Sequence, residues 1–176
     1  SDLHKANFAV SGSIVSDIVS RAPIVDSLYL PGKRNVLVVW IGTNDIFNSA
    51  LSSTATWNSL SAYITDRKLK GYKVVALTCL PRSLPGGNLD TTRVAFNALM
   101  KASAIPDYVV DIASDTAFLH YVDYGGVDRY YRAFLSDGIH PSREGHKRIA
   151  SNVSPVIAQT LETSISQPKL NILEDV

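Results

Sequence analysis

Apolar residues in this chain fall into two patterns, short unbroken runs and longer stretches with helical spacing. The clearest run is Val36-Leu37-Val38-Val39-Trp40, extended by Ile41 and cut off by the polar Gly42-Thr43-Asn44-Asp45. A run without alternation predicts a strand buried on both faces, as inside a parallel sheet. Residues 72–80 and 108–112 read the same way, and residues 5–10 form a shorter strand candidate. Between these runs, apolar positions recur at intervals of three and four. Ile14, Val15, Ile18 and Val19 predict a helix to about Ser27. Trp57, Leu60 and Ile64 predict a second over residues 54–69, with Gly71 where a helix C-cap is expected, and residues 90–102 a third. Ser142 is placed to cap a last helix, with Gly145 in its first turn, running to about Glu162. Pro31-Gly32 marks a turn and residues 81–88 a loop. Residues 113–136 read as irregular and rich in aromatics: Phe118, Tyr121, Tyr124, Tyr130, Tyr131 and Phe134.

Strands alternating with helices predict an α/β fold, a doubly wound parallel sheet with helices on both faces. Residues 1–163 are expected to form one domain. Residues 164–176 lack strong periodicity and are expected to be a tail or linker.

Composition narrows the chemistry. The 176 residues carry a net charge of +1 with no basic block, so nucleic acid is not an expected partner. No apolar run approaches the roughly 20 residues that span a bilayer. The single cysteine, Cys79, rules out an internal disulfide and reads as a small buried hydrophobe. The four histidines are scattered and no cysteine pair exists, so no metal site is expected. No glycine-rich phosphate cradle is present, and no cofactor is expected.

Two polar segments stand where chemistry is expected. In open parallel sheets, ligands sit just beyond the carboxyl ends of the strands, which is where Gly42-Thr43-Asn44-Asp45 falls. The second is Ser136-Asp137-Gly138-Ile139-His140-Pro141. A carboxylate and a histidine three apart in such a turn can orient one another. An imidazole suits proton shuttling near neutral pH, so His140 is a candidate base, with Asp137 its candidate orienting group. Each also has a plainer reading: a flanking surface histidine, and a turn-forming Asp before Gly138. His4, His120 and His146 lack such surroundings. Asp45 is expected to fix its loop by hydrogen bonds.

These segments resemble the conserved blocks of the SGNH (GDSL-type) esterases and lipases. Gly42-Thr43-Asn44-Asp45 is similar to the family's third block and Asp137-Gly138-Ile139-His140-Pro141 to its fifth, Asp-x-x-His. Asn7-Phe8-Ala9-Val10-Ser11-Gly12 resembles the second block, which ends in glycine. The order and spacing agree over about residues 7–161. The resemblance implies a three-layer α/β/α, flavodoxin-like parallel sheet of order 2-1-3-4-5. It also implies hydrolysis of small acyl esters, carbohydrate acetyl esters among them, through an acyl-enzyme. His140 would be the base and Asp137 its orienting group. The Asn44 side chain and the Gly12 N–H would stabilise the oxyanion. The plainer readings are a strand-end Asn satisfying a turn and a simple turn glycine.

One block is missing. Gly-Asp-Ser, which carries the family's nucleophile and follows its first strand, occurs nowhere in the 176 residues. Ser11 and Ser13 open a helix after a strand candidate, as a nucleophile elbow would, but their segment matches the second block better. The expectation is therefore an N-terminal segment in the slot of the first strand that supplies the serine, either as a cleaved but still bound fragment or as residues preceding Ser1 in the same chain. The rival expectation is a non-catalytic binding domain that kept the scaffold and lost the serine. A flavodoxin-like ligand binder is a third, resting on fold analogy alone.

Overall fold

The computed structural model describes residues 4–82, 88–122 and 125–162, so the 164–176 tail, most of the 81–88 loop and Tyr124 lie outside the described residues. Among the described residues, three parallel strands form the sheet: β1 (Val36–Val39), β2 (Lys73–Leu77) and β3 (Tyr108–Val110), in the order β1-β2-β3. Leu37 lies opposite Val74 and Ala76 opposite Val109. The unbroken apolar run of β2 has its reason here. Successive side chains of a strand point to opposite faces. Val74 and Ala76 enter one core, and Val75 and Leu77 enter the other.

The first core is closed by α4 (Ser53–Lys70) and α5 (Asn88–Ala102), through Trp57, Leu60, Ile64, Phe96 and Met100. The second is closed by α6 (Arg143–Glu162), through Ile149 and Val153. Three layers result, as the α/β reading expects. The ends of α4 follow local chemistry. The Ser52 hydroxyl accepts from the Ala55 N–H at 3.1 Å, and Gly71 closes the helix in the left-handed region at φ +106°.

The single helix expected to reach Ser27 is instead two short ones, α1 (Val15–Ser20) and α2 (Ala22–Asp26), meeting at Arg21. Pro23 explains the break, because it has no N–H to continue the ladder and fits the first turn of a new helix.

Residues 5–10 do not form the expected strand. They are irregular and mostly exposed, and end in a turn at Ser11-Gly12. A parallel strand exists only as a partner in a ladder, and β1 pairs with β2 alone among the described residues. Its other edge is open, leaving Val38 39% and Trp40 37% exposed. The region expected to be irregular is partly ordered. It holds two 3₁₀ turns (Ile112–Ser114 and Thr116–Phe118) and an antiparallel pair, β4 (His120–Val122) with β5 (Asp128–Tyr130). Phe118 is buried in the second core, while the rings of Tyr121 and Tyr131 meet on the surface, 5.3 Å apart.

Candidate active site

The site begins where β1 runs out. Gly42 takes φ +115°, which lets the chain turn directly into the short helix α3 (Thr43–Phe47). A Cβ there would lie 2.9 Å from the Phe96 ring and 3.5 Å from Cys79 Sγ, so both conformation and space require glycine. Cys79 is fully buried and its thiol donates to the Ile41 carbonyl at 3.3 Å. Burial pushes its pKa up to about 11, which keeps it an unreactive thiol.

Two side chains of α3 draw in the turn at residues 11–13. Asp45 is buried and accepts from the Val15 N–H at 3.0 and 3.3 Å. Loss of hydration on burial is the main reason its pKa is raised, against the lowering effect of the Val15 N–H. The Asn44 amide donates to the Ser13 carbonyl at 3.1 Å and accepts from the Asn48 amide at 3.0 Å. Asn44 thus lies against the segment that contains Gly12, itself in the left-handed region at φ +79°. The third sequence block and the residues that directly follow the second, some thirty positions apart, meet in this way.

The other half of the site precedes α6. His140 Nδ1 lies 2.8 Å from Asp137 Oδ2. The second oxygen of Asp137 accepts from the backbone N–H groups of Ile139 (2.9 Å) and His140 (2.8 Å). These bonds hold the carboxylate pKa well below its usual range, the His140 N–H contributing most. Gly138, at φ +81°, makes the tight loop possible. The loop is tied at its base by the Ser136 N–H to the His140 carbonyl (2.9 Å) and by Ser142, whose hydroxyl caps α6 at the Gly145 N–H (3.1 Å). Both side chains remain open to solvent, His140 by 71% and Asp137 by 52%.

Neither Ser11 nor Ser13 is placed as a nucleophile. The Ser13 hydroxyl accepts from Arg21 at 2.7 Å, and among the described residues no serine hydroxyl is hydrogen-bonded to the His140 ring. Also among the described residues, no group of three or more His, Cys, Asp or Glu could hold a metal ion.

Sequence reasoning missed three polar residues that hold the site. Asn97 and Arg93, on the buried face of α5, grip the backbone of Cys79 at the end of β2. Asn97 exchanges two 2.9 Å bonds with the Cys79 N–H and carbonyl, and Arg93 donates to that carbonyl at 3.1 Å while paired with Asp90. Polar side chains four apart beside Phe96, on an otherwise apolar face, were the available signal. The third is Arg82. Its guanidinium lies 4.8 Å over the Phe47 ring, 3.5 Å from Asn48 Oδ1, and within the field of the Asp137 carboxylate. It therefore touches the Asn44 half and feels the charge of the His140 half.

A three-layer α/β fold with an Asp–His pair before its last helix and an Asn just beyond the end of β1 fits an acyl-hydrolase scaffold of the SGNH type. The chain belongs to the GDSL-like lipase/acylhydrolase family, whose model matches residues 2–148. It is similar to the alpha2 subunit of platelet-activating factor acetylhydrolase IB from Gallus gallus, 27% identical over 165 residues, 92% of this chain and 68% of that protein. Among solved structures it is similar to a GDSL-like lipase from Bacteroides thetaiotaomicron (TM-score 0.63, 18% identity, 86% of this chain and 74% of that one). A carbohydrate esterase family 3 protein from Talaromyces cellulolyticus matches comparably (TM-score 0.62, 17% identity, 87% and 70%). At these identities the structural likenesses speak for the fold.

Proposed function

We propose that the protein is a serine ester hydrolase acting through an acyl-enzyme. His140 is the base. With Nδ1 held by Asp137, its Nε2 takes the proton as the serine oxygen attacks the ester carbonyl. The negative charge on the former carbonyl oxygen is met by an N–H of Asn44 and the backbone N–H of Gly12. Collapse expels the alcohol, which receives the proton from His140, and a water repeats the sequence to release the acid. The observation that carries this reading is the Asp137–His140 pair, with Asp137 fixed by two backbone N–H groups.

The serine comes from a segment outside the 176 residues, seated along the open edge of β1. That edge, with Val38 and Trp40 exposed beside it, supports the placing, because a strand there would cover apolar surface and pair an unpaired ladder. The substrates are small acyl esters, with acetyl esters, including those on carbohydrates, the first candidates. The curated relatives carry acetylhydrolase in their names.

The test is hydrolysis of p-nitrophenyl acetate by the protein with its preceding segment, together with mass spectrometry of fluorophosphonate-labelled protein. Turnover that His140→Ala abolishes without loss of fold, and a label on a serine of the additional segment, are expected. Absence of both would leave a non-catalytic domain on the same scaffold.

A further inference from the structure

We propose that Asn48, with Arg82 behind it, is a positioning residue for Asn44. The proposal rests on the hydrolase reading above, in which Asn44 donates to the oxyanion. Asn44 lies in the first turn of α3 and Asn48, four residues on, caps its C-terminal end with helical backbone angles, so the two share a face. The Asn48 amide donates to Asn44 Oδ1 at 3.0 Å, while Asn44 donates one N–H to the Ser13 carbonyl at 3.1 Å. A primary amide has two N–H donors and one carbonyl oxygen. The Ser13 contact uses one donor and the Asn48 contact fixes the oxygen. The second donor is then held in one direction.

Donation into an amide oxygen also draws electrons from its nitrogen and makes the remaining N–H a stronger donor. Asn48 is polarised in its turn, because its own Oδ1 faces the Arg82 guanidinium at 3.5 Å. That cation is kept in place by the Phe47 ring, 4.8 Å from its centre, and its Nε is buried with no hydrogen-bond partner among the described residues. The order is cation, amide, amide, oxyanion, each group polarising the next. A plainer account would make Asn48 a surface residue at the end of a five-residue helix. On that account its loss would alter stability slightly and leave kcat alone.

A double-mutant cycle on the complete protein separates the two accounts. Asn48→Ala should lower kcat for p-nitrophenyl acetate about tenfold, with KM within about twofold. This is a fraction of the roughly 100- to 1,000-fold that loss of an oxyanion donor costs. Asn48→Asp keeps the shape but cannot donate to Asn44 Oδ1, and should lower kcat at least as far. In an Asn44→Ala background, Asn48→Ala should add less than about twofold, because the group it positions is gone. Asn48 is exposed, so these variants are expected to fold. An unchanged kcat in Asn48→Ala, or an equal loss in both backgrounds, would overturn the positioning role and leave the hydrolase reading standing. Full activity in Asn44→Ala would remove the oxyanion role and this inference together.

Discussion

The carboxylate of Asp45 accepts the backbone N–H of Val15 across thirty residues of sequence, and both groups are buried. This contact fastens the helix that follows Gly12 and Ser13 to the one that carries Asn44. It has a cost, because burial disfavours the charged carboxylate. Removing the acceptor leaves the Val15 N–H without a partner, so Asp45→Ala should destabilise the fold by about 2–3 kcal/mol in urea denaturation.

The same carboxylate sets a pH dependence. Its folded pKa is raised, so the folded protein binds this proton more tightly than the unfolded chain does. Its contribution to stability therefore falls as pH rises from the ordinary carboxylate value through the raised one. Asp45→Asn removes that slope. Denaturation of the two proteins across this window should show the wild type gaining on the Asn variant as pH is lowered. A constant difference would contradict the assignment.

Asp137 behaves in the opposite sense. Its pKa is depressed by the two N–H groups and the imidazole it accepts from, so it stays ionised well below the usual carboxylate range. Asp137→Asn keeps the size but loses the charge facing His140 Nδ1. In the complete protein it should lower kcat on the order of 100- to 10,000-fold, measured as ester hydrolysis, with little change in melting temperature. A loss of less than about threefold would remove Asp137 from the proposed machinery.

Gly42 is the hinge between β1 and Asn44. Gly42→Ala must hold φ near +115° and push into Phe96, so a loss of about 1–3 kcal/mol is expected. Activity measured where the variant is still folded should fall as well, since α3 moves with the hinge.

The proposed chemistry needs no metal. Dialysis of the complete protein against a chelator should leave ester hydrolysis unchanged. A clear loss that a divalent ion restores would overturn this.

What the sequence determined by itself was short-range. Strand and helix periodicity is written in neighbouring residues, and it located β1, β2, β3, α4, α5 and α6 to within a few residues. The Asp137–His140 pair was legible for the same reason. Three residues of spacing around a glycine leave the carboxylate little choice but the N–H groups and imidazole beside it. Tertiary structure decided the rest. Residues 5–10 carry a strand-like pattern, but a strand exists only as a partner in a ladder, and no strand of the described sheet pairs with them. Asp45 reaching Val15, Asn44 reaching Ser13, and Arg82 reaching Asn48 depend on which strand ends the fold sets side by side. Those contacts join residues some thirty or more positions apart. Nothing in the local pattern around any one of them specifies the partner, because the partner is chosen by the packing of the sheet.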